Sequence, residues 1–379
     1  MNLTLNKNLA IIGASYLQLP LILKAKEMGY VTHVFAWRAN DVGEQAADYF
    51  YPISITEIDE ITNQCKSIGI EGICSIATDL GNYTVNIVAN RLGLSGNSID
   101  CTLKSTNKYM MRKTFESCSD PIPKFLLVDG NIKVNELDIP FPVIVKPTDR
   151  SGSRGIYKID NMDMLPFAVR KAIDESFEKK ALIEEFIEGQ EYSVEGISFK
   201  GKHHILAMTL KHTTGAPYFI ETGHIEPAPV SDEIFEKVKK IVLHALDSLG
   251  IQNSASHSEV KIDSHNNVRI IEIGSRMGGD CIGSDLVRIS TGIDYVKAVI
   301  QVSCGIEPDL TPIEHGQFAE VKFILNRNDL NEFIRLKKEE PETIIRIVDD
   351  KHFDLIGRTT DSSNRAGCYI IRKREYNFS

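Results

Sequence analysis

Short apolar runs alternate with helical patterns through the first hundred residues. LAIIGA (residues 9–14) leads into a helix-like LPLILKAKEMG, and VTHVFAW (31–37) and ICSIA (73–77) follow, the last before another helix. Strand, helix, strand, helix predicts a parallel sheet covered by helices, with the loops at the carboxyl ends of the strands forming a crevice. From about Cys101 the rhythm changes. A helix starting near Ser105 carries Lys108, Met111 and Arg112; PFPVIVKP and GIYKI read as strands; DMLPFAVRKAIDESF reads as helix; ALIEEFIEGQEYSVEGISF reads as strand, connector and strand. Residues 232–249 place Ile234, Phe235, Val238, Ile241, Val242, Ala245 and Leu249 at helical spacing, with Ser231 as N-cap and Gly250 as stop, and His244 on that helix reads as structural. A turn-rich stretch, 303–316, separates this part from a strand-rich tail whose last strands are expected to pack on the preceding lobe.

The pattern is most restrictive at ASHSEVKIDSHNNVRIIEIGSR (255–276). A turn at His265 and Asn266 sets Asp263 opposite Val268, Val260 opposite Ile271 and Glu259 opposite Glu272. Val260, Ile262, Ile271 and Ile273 then share a core face; His257, Glu259, Glu272 and Gly274 share the other. Two carboxylates about 5 Å apart across an antiparallel pair repel. Either a divalent cation offsets that repulsion, or the face is exposed and solvent and Lys261 screen it.

Composition narrows the class. Of 379 residues 42% are hydrophobic and 25% charged, so a soluble, multi-lobed globular protein is expected. No apolar run approaches the ~20 residues that span a bilayer, which argues against a membrane protein. The N-terminal stretch reads straight into a strand, so no cleaved secretory signal is expected and the cytoplasm is the expected location. A net charge of −9 argues against a general nucleic-acid binder. Seven cysteines without a CxxC pair fit reduced thiols and no zinc site.

VIVKPTDRSGSRG (143–155) delivers Lys146 at the end of a buried strand and then Ser151, Gly152, Ser153 and Gly155, small enough for backbone N–H groups to approach a polyphosphate; a plain loop is the other reading. Gly13, Ala14 and Ser15 follow the first strand, but the dinucleotide fingerprint GxGxxG is absent, which counts against NAD. Arg276 follows Glu272 by four residues and offers a planar fork for a carboxylate or phosphoryl group, while Gly278 and Gly279 can present backbone N–H groups beside it.

In order, Lys108, KP at Lys146, SGSRG, EEFIEGQE, Glu259 and EIGSRMGG resemble the ATP-grasp superfamily of ligases over most of the chain. The variant EIGSRMGGD, with the segment 211–230, is most similar to the branch of amino-acid and dipeptide ligases, the carbamoyl phosphate synthase-like group. The resemblance implies an α/β fold: an N-terminal doubly wound parallel-sheet domain (1–104), a two-lobed ATP-grasp fold (105–310, the smaller lid lobe about 112–190) and a small strand-rich C-terminal part (311–379). It implies ATP and Mg2+, with Mn2+ as substitute. Lys108 and Lys146 would contact the phosphates under a lid formed by Ser151, Gly152, Ser153 and Gly155. Glu184, Glu185, Phe186 and Ile187 would read adenine, Glu191 the ribose hydroxyls, and Glu259 and Glu272 would bind the metal. Arg276, Gly278 and Gly279 would face an acyl phosphate, making Arg276 and Lys146 the catalytic candidates. The histidine matching His224 lies near substrate in that branch; a structural loop histidine is the other reading. Many members carry an asparagine two residues after the second metal glutamate, where this chain has Gly274; water ordered by His257 is the expected substitute.

The implied activity is ADP-forming ligation of a small-molecule carboxylate to an amine. Bicarbonate or formate activation, a non-catalytic ATP-binding protein and, third, an NAD-dependent oxidoreductase are the alternatives. Homodimers are common among similar enzymes, though no patch in the sequence marks an interface.

Overall fold

The computed structural model describes residues 7–129, 138–150, 152, 154–216, 219–349, 352–357, 359 and 365–373. Three sheets organise them. The first is parallel, in the order β3-β2-β1-β4, from β1 (Lys7–Ile12), β2 (Tyr30–Phe35), β3 (Tyr49–Tyr51) and β4 (Gly72–Cys74). Its helices are α1 (Leu19–Glu27), α2 (Val42–Ala46), α3 (Ile58–Ile68) and α4 (Asp79–Leu92). Because successive strand residues point to opposite faces, Leu9 and Ile11 enter one core while Ala10 and Ile12 enter another.

Two short helices, α5 (Ile99–Lys104) and α6 (Lys108–Ser117), lead out of this domain. The break between them falls at 105–107 rather than before Ser105. Asn107 caps α6 by accepting from the N–H groups of Tyr109 and Met110, which makes Lys108 the first helical residue. A small antiparallel sheet follows, ordered β5-β8-β6-β7 from β5 (Phe125–Val128), β6 (Val143–Pro147), β7 (Tyr157–Ile159) and β8 (Ala181–Glu185), with α7 (Leu165–Glu175) packed on it.

The third sheet has eight strands in the order β13-β12-β9-β10-β11-β14-β16-β15. These are β9 (Gln190–Phe199), β10 (Lys202–Thr213), β11 (Glu221–Glu226), β12 (Ser254–Ile262), β13 (Val268–Gly274), β14 (Phe318–Ile324), β15 (Ile344–Asp349) and β16 (Gly367–Lys373). The long amphipathic helix α8 (Asp232–Leu249) lies on it, its cap made by Ser231 and its end by Gly250 at φ 74°. The tail strands pack on the preceding lobe by extending this sheet through the β11–β14 pair, with α11 (Arg327–Glu339) against them. Helices α9 (Val287–Thr291) and α10 (Tyr295–Ser303) return the chain to the first sheet: Tyr295, Ala298, Val299 and Val302 share one core with Leu9, Ile11 and Val34.

Candidate active site

A cleft of about 1120 Å3, part of it open to solvent, lies between the small sheet and the face of β9, β12 and β13 that α8 leaves uncovered. Its floor departs from the alternation of the sequence in one place. Glu259 pairs with Glu272 and His257 with Gly274 as the spacing requires, but a bulge after Glu259 shifts the register, so Val260 pairs with Ile270 and Ile262 with Val268. The turn is therefore wider, with Asp263 accepting from the N–H groups of His265 and Asn267 at 2.8 Å. The extra residue, Ile271, leaves the core face expected for it and lines the cleft, and Ile270 takes its place in the core.

At one end of the cleft, Lys146 on β6 and Glu184 on β8 meet at 2.6 Å, and Arg112 from α6 stands 2.7 Å from the other Glu184 oxygen. All three are nearly inaccessible. Burial favours a neutral Glu184, yet Arg112 and Lys146 outweigh it and hold the carboxyl below its ordinary range; burial pushes Lys146 down. The Glu184 side chain, expected at adenine, is thus the counter-ion of two cations. Glu184 still lines the cleft, as do Glu185, Phe186, Ile187 and Glu191, with Lys158 and Lys261 lying 4.5 and 5.1 Å from the Phe186 ring centroid. Gly152 and Arg150 border it; Ser151 and Ser153 lie outside the described residues. Gly155, at φ 70°, sits against Pro147 and Glu175.

In the middle, a lysine answers each carboxylate of the facing pair. Lys108 donates to Glu272 at 2.9 Å and to the Arg150 carbonyl at 2.8 Å. Lys211, on β10, donates to Glu259 and lies 3.0 Å from Glu191. Although burial opposes charge, Lys211 and His257 hold Glu259 well below the carboxylate range. The exposed, solvent-screened face expected as one alternative is not what is found, because both carboxylates are largely covered. Lys261 reaches the Ile187 carbonyl instead, and the two effective lysines come from elements the hairpin does not contain. Among the described residues no three His, Cys, Asp or Glu side chains form a cage for an ion. The pair fits an ion that arrives with phosphates, since magnesium takes one or two protein carboxylates plus phosphate oxygens and water.

His257, expected to order water beside Gly274, is held within the protein. Burial works against its charge, but Glu195 raises its pKa to about 9. Its Nδ1 bonds Glu195 at 2.5 Å and its Nε2 faces Glu259 at 3.4 Å. Glu195, fully buried, also accepts the Gly278 N–H at 3.2 Å. That N–H, expected to face substrate, is therefore bonded within the protein. A Cβ on Gly278 would stand 2.6 Å from His257 Nδ1, so only glycine fits.

Arg276 marks the far end. Its Nε–H donates to Asp79 at 2.8 Å, a carboxylate from the first domain that lies at the start of α4. Burial opposes ionisation of both, yet each holds the other charged: the Asp79 carboxyl is lowered and the Arg276 guanidinium raised. Gly279 lies beside Ala77 of the same domain. His224, on β11, is buried outside the cleft lining, 3.5 Å from Asp280 and edge-on to Phe323; burial lowers its pKa. Asp280 in turn pairs with Arg365 at 2.9 and 3.0 Å. Sequence reasoning missed Asp79, Glu195 and Lys211. Period-two alternation along β9 aligns Glu191, Ser193 and Glu195 opposite Lys261, Glu259 and His257, a signal that would have found Glu195.

Residues 139–284 match the sequence profile of the ATP-grasp domain. The alanine–anticapsin ligase of Bacillus subtilis (strain 168) is 26% identical over 310 residues, covering 71% of this chain and 64% of its own length. The D-alanine–D-alanine ligase of Hydrogenovibrio crunogenus is 26% identical over 208 residues, covering 51% of this chain and 63% of its own. The chain thus spans less than two thirds of these curated relatives. The solved L-amino acid ligase from Bacillus licheniformis superposes with a TM-score of 0.82 at 22% identity, over 98% of this chain and 94% of that one, a likeness of fold.

Proposed function

The chain carries an ATP-grasp domain, and we propose that it is an ADP-forming, magnesium-dependent ligase joining an amino acid, or another small carboxylic acid, to an amine through an acyl phosphate. The observation that carries this reading is the cleft floor: Glu259 opposite Glu272, a lysine on each, and Arg276 four residues beyond. Lys108, Lys146 and Lys211 present fixed positive charge to a polyphosphate. The backbone of residues 185–187 meets the adenine edge, and Glu191 the ribose hydroxyls. Glu259 and Glu272 would hold the magnesium, which when bound adds Lewis-acid charge to the transferring phosphoryl group.

Closure of the cleft excludes water, so that the substrate carboxylate attacks the γ-phosphorus in line and ADP leaves. Lys146 and the Arg276 fork stabilise charge on the transferring group. The amine then adds to the acyl carbon, and the tetrahedral intermediate collapses with loss of phosphate. The names of the relatives, two amino-acid ligases among them, favour amino acids as substrates.

The test is ADP and phosphate release with ATP and magnesium across pairs of amino acids, with product masses recorded and single amino acids, bicarbonate and formate as controls. Release that needs two amino acids and yields a condensed product is expected. Release with bicarbonate or formate alone would replace the reading with activation of a one-carbon acid, and ATP binding without any turnover would replace it with a non-catalytic role.

A further inference from the structure

The guanidinium of Arg276 is gripped along one edge. Asp79 accepts from Nε–H at 2.8 Å and from Nη2–H at 3.3 Å, and the Met277 carbonyl accepts from Nη1–H at 3.4 Å. A guanidinium carries five N–H donors. One donor therefore remains on each terminal nitrogen, and the two together match a pair of oxygens on one carboxylate or phosphoryl group.

Asp79 comes from a different domain, and its place is built. It opens α4, whose N-cap Thr78 accepts from the Gly81 N–H at 3.2 Å. Just before it, Ala77 sits in the left-handed region at φ 61°, a conformation that is strained for a residue with a Cβ. Two bonds hold this turn against the arginine loop: Ala77 N–H to the Met277 carbonyl at 3.2 Å, and Asn82 Nδ2 to Ser275 Oγ at 2.9 Å. The space for the ion pair is reserved from the other side. A Cβ on Gly274 would stand 3.3 Å from Asp79 Oδ1 and 3.5 Å from Arg276 Cζ, so a longer side chain there would displace the pair.

We infer that Asp79 is a positioning residue that acts through Arg276: the first domain supplies the carboxylate that fixes the plane of the guanidinium and aims its two remaining donors at the transferring group, and Gly274 keeps the room for it. The kinetic consequence rests on the ligase reading. The aim of Arg276 does not, and it can be measured without turnover.

The experiment is 15N NMR of the arginine Nε–H groups in the full chain. The Arg276 signal, identified by its loss in Arg276→Lys, is expected to be shifted and slow to exchange in the native protein. Asp79→Asn and Gly274→Asn should each return it towards the position of solvent-exposed arginines, whereas Asn82→Ala, which cuts a neighbouring bond between the same two domains, should leave it in place. A signal indifferent to Asp79→Asn, or lost equally in Asn82→Ala, overturns the inference. With an acid and amine that support turnover, Asp79→Asn should lower kcat by about 10- to 100-fold while leaving the KM for ATP unchanged. The double variant Asp79→Asn/Arg276→Ala should fall no further than Arg276→Ala alone. Losses that multiply also overturn it. If no pair is turned over, the ligase reading is what suffers, and the NMR result alone decides the role of Asp79.

Discussion

The two ends of the cleft are built differently. At the nucleotide end, Lys146 and Glu184 come from the small sheet and Arg112 from α6, where it also donates to the Ile271 carbonyl of β13, so this end is built without the first domain or the tail. At the Arg276 end, every key contact crosses between parts of the molecule: Asp79 to Arg276 spans 197 residues, and Asp280 to Arg365 spans 85. In the ligase reading proposed above, the grip on ATP then needs neither flanking part, while the geometry around the acid and amine depends on both. In that reading, changes in the flanking parts would retune what is ligated without touching the nucleotide grip.

The sharpest way to break this contrast is Glu184→Ala. It leaves two buried cations unpaired, and loss of roughly 3–5 kcal/mol of stability is expected by denaturant unfolding, with nucleotide binding lost as well. A stable variant that still binds ATP would show that the nucleotide end is not self-contained. Next in size, Arg276→Ala should lower turnover by about 100-fold or more while calorimetric affinity for magnesium–ADP stays as in the native protein. Weakened ADP binding would erase the separation between the ends. Arg365→Ala leaves the half-buried Asp280 without its bidentate partner, and Asp280 and Cys281 already hold φ of 52° and 64°. A loss of about 1–3 kcal/mol is expected, with turnover falling more than ADP affinity.

The last effect is confined to a pH window. Burial raises Glu226 to about 8, and Thr209 and Ser290 donate to its two oxygens. Because its folded pKa lies above its unfolded one, the folded state retains a proton that the unfolded state releases, so stability should fall as pH rises between about 4.5 and 8. Glu226→Gln should flatten that slope, by up to roughly 1.4 kcal/mol per pH unit. An identical slope in the variant would remove Glu226 as its source.

What could be read from the sequence follows the same division. The alternation of apolar residues was enough to place Glu259 opposite Glu272, because a period of two leaves little choice once one face must be buried. It missed the register near the turn because one bulged residue shifts the pairing without disturbing the apolar count, and Ile271 moved from core to cleft as a result. The helix at residues 232–249 was legible from its caps and spacing. Asp79, Lys211 and Arg365 were not. Nothing in α4, β10 or the tail marks a residue whose partner lies on a distant element, and of the two readings of His224 its burial beside Asp280 favours the structural one.

The core shared by β1, β2 and α10 also bears on how the chain is made. Leu9, Ile11 and Val34 share their core with α1, which follows at once, and with α10, which ends only at Ser303. At ordinary elongation rates the part of that face that α1 leaves open waits on the order of tens of seconds, wet and apolar, before α10 is synthesised. During that interval the nascent chain is a natural client for a chaperone, and a ribosome stalled before Tyr295 would hold a domain that cannot close.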